Sequence, residues 1–202
     1  ARERIEESMG SSPHLVYINV KPSVSEDQVA NVLEMQALHR LSEDYERIQS
    51  YSEENGHFIE TQINAAEVLQ RFLGERNYTG NLSDFNDWKG MLESTLEDEE
   101  CGDAIGSDDR SIATAAFASS ALLHEDLDYS PVCDWLESGT GNPTPSASST
   151  LWLIELSGDI GSQERQRYAN DIRDMLSEQS ILEYGVISDD LISNDINEST
   201  LD

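Results

Sequence analysis

The sequence predicts an α+β fold built on a ferredoxin-like sheet, in which two split β-α-β halves are separated by a helical insertion. A strand-like run lies near each end of the chain, Leu15–Val20 and Leu151–Leu156, and each run leads into a helical pattern followed by a second strand-like segment. Two such units combine naturally into four antiparallel strands with both helices on one face. Residues 63–147, between the halves, change to helical periodicity.

The first half of the sheet is predicted within residues 13–62. Leu15–Val20 contains the Val and Ile residues typical of strands. A helix is predicted over 25–42, because a Ser in the N-cap position is followed three residues later by Gln and apolar residues then recur at helical spacing. A second strand is predicted over 45–51, ahead of an acidic turn containing Asn-Gly.

The insertion over 63–147 is predicted to be helical. Apolar positions three and four residues apart indicate a helix from Ile63 to Gly74, one from Phe85 to Leu96, one over 112–123 and a short one within 127–136. A stretch rich in Gly, Pro and Ser follows from residue 139 and is a loop by composition. This loop returns the chain to the sheet.

The second half repeats the first over residues 148–190. It contains a strand over 150–156, a helix that begins near Ser162 and a strand over 181–187. Residues 1–12 are predicted to form a polar lead-in helix, and residues 191–202 a polar, loosely helical tail.

The strongly negative charge of the chain disfavours some classes of binding partner. There are 12 Lys and Arg residues against 41 Asp and Glu, which gives a net charge of −29. Such a surface repels phosphate backbones, so no nucleic-acid partner is expected. Only two of the cations are Lys. An acid-rich, Lys-poor surface is suited to concentrated salt, which screens self-repulsion, and predicts a halophilic source such as a halophilic archaeon. An ordinary acidic protein that is short of Lys by chance is the alternative.

The location of the chain is only partly indicated by its own sequence. No run reaches the roughly 20 apolar residues of a membrane span, and there is no signal peptide. The chain begins with Ala1 in a helix-like polar segment. We therefore expect a processed protein or a piece of a longer one, with a full-length cytosolic protein as the alternative.

The two cysteines, Cys101 and Cys133, both lie in the insertion. In an external domain they are candidates for a disulfide. Two free buried thiols are the alternative. A metal site is not expected, because there is no Cys-x-x-Cys motif and no His pair nearby.

Three Asn-x-Ser/Thr sequons begin at Asn77, Asn81 and Asn197. In an external domain they are candidate glycosylation sites, and two of them fall in one predicted loop. Sequons also arise by chance in a chain rich in Ser and Asn, which is the alternative.

No catalytic, cofactor-binding or metal-binding residues are predicted. The four His residues are scattered, and the nucleophile-elbow, phosphate-loop, dinucleotide and zinc-protease motifs are absent. The acidic run Glu97–Glu100 lacks the alternating ligands and central Gly of a calcium loop. Four aromatic residues are candidates to line a groove for an apolar ligand, with a core role as the alternative: Phe85, Trp88, Phe117 and Trp135.

Several segments resemble the first extracytoplasmic loop of RND-superfamily exporters of the MMPL-like type. They are Ile5-Glu-Glu-Ser-Met-Gly-Ser-Ser before the strand Leu15–Val20, then Ile63-Asn-Ala-Ala-Glu-Val-Leu, and the late strand and helix around Asp159-Ile-Gly-Ser-Gln-Glu-Arg. Met9 stands where the family has an aromatic residue. The family's proton-relay residues lie in its membrane spans, so none is carried over to this chain.

This resemblance implies an extracytoplasmic domain tethered to the cell membrane, a transport component and not an enzyme. Its partners are then the rest of its own membrane protein, an apolar or lipid-like substrate and, as a candidate, further copies of itself. The resemblance implies that the domain helps to pass or gate that substrate, driven by ion flow elsewhere in the protein.

A second external family is also similar. Val20-Lys-Pro-Ser-Val-Ser-Glu-Asp-Gln-Val and Asn142-Pro-Thr-Pro-Ser-Ala resemble the extracellular loop of the division protein FtsX. That resemblance implies an interaction domain that recruits a protein partner, although the helical lobe of FtsX is shorter. A freestanding secreted hydrolase is the third hypothesis. The number of membrane spans that flank the domain separates the three.

Overall fold

A computed structural model describes residues 13–23, 31–75, 78–95, 127–128, 130–178, 180–189 and 191. These residues form a mixed α+β fold with a four-stranded antiparallel sheet. The strands are β1 (His14–Pro22), β2 (Ile59–Ile63), β3 (Thr150–Leu156) and β4 (Leu182–Ser188). The helices are α1 (Met35–Glu54), α2 (Ala65–Glu75), α3 (Trp88–Thr95), α4 (Ser130–Ser138) and α5 (Ser162–Leu176), with a 3-10 turn at Leu82–Asp84.

The sheet has the strand order β2-β3-β1-β4, and all neighbouring strands are antiparallel. It follows that β1 and β2 run in the same direction with β3 between them, while β3 and β4 run in the same direction with β1 between them. Helix α1 connects the first pair and α5 the second. The prediction that the strands near the two chain ends share a sheet is confirmed, since Ile18 lies directly opposite Trp152.

One face of the sheet forms the core. Three alternate side chains of β1 are fully buried: Val16, Ile18 and Val20. Tyr17, which points the other way, is 42% exposed. Helix α1 packs on the buried face, where the ring of Tyr45 stacks on Trp152 with 6.3 Å between centroids. The strict alternation follows from the two-residue period of a strand with one solvated face.

Helix α5 lies beside α1 on the same face. The hydroxyl of Tyr51 donates to Asp171 at 2.7 Å, which joins the two helices directly. The ring of Tyr168 stacks on Phe58 at a centroid distance of 3.8 Å, and its hydroxyl donates to the carbonyl of Asn55 at 2.9 Å. The two crossover helices are therefore held together by aromatic and polar contacts as well as by their apolar faces.

The predicted strand over 45–51 is wrong, because these residues lie within α1. Tyr45, Ile48 and Tyr51 are residue types typical of strands, but their three-residue spacing places them on one side of a helix that packs on the sheet. The second strand of the first half is instead β2, Ile59–Ile63, so Ile63 ends a strand and does not begin a helix.

Other boundaries also differ from the predictions. Residues 31–34 are not helical, so the helix expected over 25–42 begins only at Met35, and its predicted N-cap lies outside the described residues. Phe85 follows the 3-10 turn and precedes α3. The lead-in helix over 1–12, the helix over 112–123 and most of the tail also fall outside the described residues. Leu191, at the start of the predicted polar tail, is buried.

The described part of the insertion packs onto the beginning of α1 and shares one core with the sheet. The indole of Trp88 donates to the carbonyl of Leu33 at 2.6 Å. The side chain of Asn64 caps α2 by accepting from the amide of Glu67 at 2.9 Å, as expected for Asn at an N-cap, and its amide group donates to Leu41. The insertion is therefore anchored by buried hydrogen bonds.

Candidate functional site

The chain enters and leaves the sheet on neighbouring strands. Strand β1 begins at His14 and β4 ends at Ser188, and Val16 lies directly opposite Ser188. Neighbouring strands are about 4.8 Å apart. We call the end of the sheet that carries the start of β1 and the end of β4 the chain-end side.

The insertion leaves and rejoins the sheet at the opposite end. Strand β2 begins at Ile59, level with the end of β3, and runs away from the chain-end side. Strand β3 begins at Thr150, opposite Val20 near the far end of β1. Residues 64–149 therefore start and finish at the end of the sheet remote from the points where the chain enters and leaves, which we call the insertion side.

A buried polar cluster lies between α1 and β4. Asp44 is 1% exposed and accepts hydrogen bonds from two residues, Arg40 and Tyr184. Arg40 donates to it through Nε and Nη2, each at 2.9 Å, and the hydroxyl of Tyr184 donates at 2.6 Å. Arg47 completes the cluster with Nη2 at 2.9 Å from Oδ1.

The geometry of this cluster makes it a structural tie. A carboxylate offers about four lone-pair positions, and hydrogen bonds from Arg40 and Tyr184 occupy three of them, while Arg47 adds an ion pair. Burial, followed by the charge and hydrogen bond of Asp44, raises the pKa of Tyr184 far above its ordinary value, so its hydroxyl stays a neutral donor. Asp44 is therefore held by two arginines of its own helix and by Tyr184, and the cluster fastens α1 to β4.

Sequence reasoning did not identify this cluster. The spacing of Arg40, Asp44 and Arg47, four and three residues apart, is the pattern of ion pairs along one helix face. That pattern could have signalled a helix through residue 47, but the strand-forming residues that follow Asp44 pointed to a strand.

The structure describes only one of the two cysteines of the predicted disulfide. Cys133 lies in α4 and takes part in a disulfide, and the described residues contain no free cysteine. Cys101 lies outside the described residues, so the pairing of Cys101 with Cys133 stays a prediction.

Of the three candidate glycosylation sites, the structure describes only Asn81. Its side chain is exposed, and its backbone amide donates to the carboxylate of Asp84 at 2.8 Å in the 3-10 turn. Asn77 and Asn197 lie outside the described residues. Use of the sequons stays a prediction.

The aromatic residues predicted to line an apolar groove do not present an open surface where they are described. Phe85 is 6% exposed and Trp88 is 1% exposed, and both belong to the core. Trp135 is half-buried and packs against the edge of that core. Phe117 lies outside the described residues. An apolar groove made by all four residues therefore stays a prediction. The three that are described pack in the core or against it.

The described His residues are spread over the fold. His14 begins β1, His39 lies in α1 with Nε2 at 3.2 Å from the carbonyl of Leu82, and His57 lies in the turn after α1. His124 lies outside the described residues. Within the described ranges, no three His, Cys, Asp or Glu side chains are grouped so that they could hold a metal ion.

Comparisons with protein families, with curated proteins and with solved structures found no match for this chain. Among the residues that the structure describes, none of the helices combines the length and apolar character needed to cross a membrane.

Proposed function

We propose that this chain is a ferredoxin-like, extracytoplasmic domain of a membrane exporter of the RND superfamily, and that it helps to pass or gate an apolar or amphipathic substrate. The observation that carries the proposal is that the chain enters and leaves the sheet on neighbouring strands. The start of β1 and the end of β4 lie on neighbouring strands, with Val16 opposite Ser188. A domain carried in a loop between two membrane spans needs its entry and exit points close together on one side, and the start of β1 and the end of β4 meet that need.

The order of the strands supports the ferredoxin-like part of the proposal. In the order β2-β3-β1-β4, each crossover helix joins two strands that run in the same direction and have a third strand between them. This is the connectivity of two interleaved β-α-β units. Helices α1 and α5 contact each other through Tyr51 and Asp171 on one face of the sheet, as such a two-layer sandwich requires.

The insertion has a natural place in this arrangement. If the chain-end side faces the membrane, the insertion side faces away from it, because the two sides are opposite ends of the same strands. The insertion would then be the part that meets substrate or a neighbouring domain. The net charge of −29 suits a surface bathed in saline medium and keeps the domain from anionic headgroups.

The proposal is tested in cells of the source organism with an antibody raised against the purified chain. Membrane and soluble fractions are separated, and intact cells are labelled with a membrane-impermeant amine or carboxylate reagent. We expect the antibody to detect a membrane-bound polypeptide much larger than 22.5 kDa that is labelled in intact cells. A soluble polypeptide that is labelled only after lysis would contradict the proposal.

The number of membrane spans then separates an exporter from an FtsX-like interaction domain. An exporter of this kind carries several spans after the domain and a second, similar half. Four spans in total would favour the FtsX-like hypothesis. Deleting the coding region for residues 13–190 should reduce export of an apolar dye while leaving the protein in the membrane, and unchanged export would contradict the transport role.

A further inference from the structure

The face of the sheet opposite the helices carries an apolar row that crosses all four strands. Ile63 lies opposite Leu153, Leu153 lies opposite Tyr17, and Tyr17 lies opposite Ile187. Each pair is in direct register, so the side chains are neighbours at about 5 Å between Cβ atoms. The row is therefore continuous from the edge strand β2 to the edge strand β4.

This row contains the two most exposed large apolar side chains of the described chain. Tyr17 is 42% exposed and Ile187 is 54% exposed, and no other large hydrophobic residue of the described ranges reaches that class. They are register partners on adjacent strands. Scattered single apolar residues on a surface need no explanation, but two adjacent ones within a continuous row indicate a contact surface.

The register-paired strand residues described on the same face carry little charge, although the chain as a whole is strongly acidic. Beside the row lie Lys21 and Glu183, which are opposite each other on β1 and β4, and Glu155, which is opposite Leu15. Among the described strand residues that are paired in register, one cation and two anions therefore lie on this face, in a chain of net charge −29. Two copies of this chain that approach through this face therefore bring few like charges together.

We propose that the open face of the sheet, centred on Tyr17 and Ile187, binds the same face of a second copy of this chain. The two sheets pack face to face about a two-fold axis, with a spacing of about 10 Å as in sandwiches of two sheets. The apolar row of each copy crosses that of the other. This dimer needs no membrane attachment, so it can be tested independently of the proposed export function.

The area of the open face indicates how tightly the proposed dimer should associate. Four strands about 4.8 Å apart and seven residues of about 3.3 Å each give a face of roughly 450 Å². In a standard interface each partner buries about 800 Å² of accessible surface. The face of this sheet is smaller than that. The dimer is therefore weak and dissociates on dilution.

Salt should strengthen this dimer. Two acidic copies repel each other over the Debye length, which shortens from about 10 Å at 0.1 M salt to about 3 Å at 1 M. An apolar contact gains from that screening, whereas a dimer held by ion pairs would weaken. We expect sedimentation velocity, over about a hundredfold range of protein concentration, to show more dimer at about 1 M than at about 0.1 M sodium chloride.

The decisive variant is Ile187→Lys, with Gln163→Lys as its matched control. Both variants make the chain less negative by one charge, so electrostatics alone would favour association in each. Ile187 lies on the open face, whereas Gln163 is exposed on α5 in the helical layer. We expect the association constant to fall at least about tenfold for Ile187→Lys and to stay unchanged for Gln163→Lys.

Two further variants keep the test sharp if Ile187→Lys folds poorly by circular dichroism. Ile187→Thr and Tyr17→Thr keep strand-forming residues at these positions, and each should weaken the dimer without losing the fold. A monomer at every concentration and salt would overturn the proposal and leave the face to a different occupant, such as another domain of the full-length protein. A dimer that survives all three open-face variants, or that Gln163→Lys weakens equally, would also overturn it.

Discussion

Replacing Tyr184 with Phe should lower the free energy of unfolding by about 1.5–2 kcal/mol. The hydroxyl of Tyr184 donates to Oδ2 of Asp44 at 2.6 Å, and the side chain of Asp44 is only 2% exposed, so water has little access to replace the lost donor. The phenyl ring would keep its edge contact with Trp152, 6.4 Å between centroids. The change therefore removes one hydrogen bond and little packing.

The magnitude follows from the remaining partners of Asp44. Hydrogen bonds to charged groups contribute about 1.5–3 kcal/mol. The lower part of that range applies here, because after the change Arg40 still donates to the carboxylate and Arg47 still forms an ion pair with it. Asp44→Ala should cost more, about 3–4 kcal/mol, since the Tyr184 hydroxyl loses its acceptor and Arg40 loses its bidentate partner, while Arg47 keeps its bonds to Glu178 and Met175.

The assay is urea unfolding at pH 7 and fixed salt, followed by circular dichroism. Tyr17→Phe is the matched control, because it removes the same hydroxyl from an exposed position in the same sheet and should change the free energy by less than about 0.5 kcal/mol. The double variant with Asp44→Ala should show that the two losses are coupled and not additive. A Tyr184→Phe effect no larger than that of Tyr17→Phe would refute the reasoning.

Four further predictions concern stability. Trp88→Phe should lower the free energy of unfolding by about 1–3 kcal/mol in a urea titration, because the buried carbonyl of Leu33 loses its donor. Stability should fall above about pH 10, where the unfolded chain loses phenol protons that the folded chain keeps, and Tyr184→Phe should flatten that fall in melts from pH 8 to 11. His57→Gly should raise the free energy of unfolding by up to about 1 kcal/mol, because φ is +55° there, whereas Gly56→Ala, at φ +94°, should lower it by about as much. Melting temperature should rise between about 0.1 M and 1 M salt; an unchanged or lower value would argue against halophilic adaptation.

The two central strands could be predicted from sequence because their signals are local. In β1 and β3, buried residues alternate with less buried ones along runs of Val, Ile and Leu, and the structure places Ile18 and Trp152 on the same face. Helix α5 was also predictable, since its apolar residues recur on one face. The strand β2 was missed because Ile59–Ile63 has only two apolar residues and sits on a sheet edge, where hydrophobic patterning is weak.

The polar cluster and the apolar row could not be read from sequence, because both depend on distant residues meeting. Asp44 and Tyr184 are separated by 140 positions, and only the pairing of β4 with β1 brings the tyrosine over α1. Similarly, Tyr17 and Ile187 look like unremarkable strand residues until the register places them opposite each other. A shift of one residue in that register would move Ile187 away from Tyr17.

The way the insertion is fastened restricts how the proposed exporter domain could move. Trp88 donates to Leu33 at the start of α1, and the buried Asn64 links the first residues of the insertion to Leu41 of the same helix. Moving the described part of the insertion away from the sheet would break these buried bonds and open a shared core, at a cost of several kcal/mol. In contrast, the chain leaves the sheet at one side through two adjacent strands, β1 and β4. A gating motion in the proposed exporter should therefore be a rigid rotation of sheet, crossover helices and insertion together about the chain-end side.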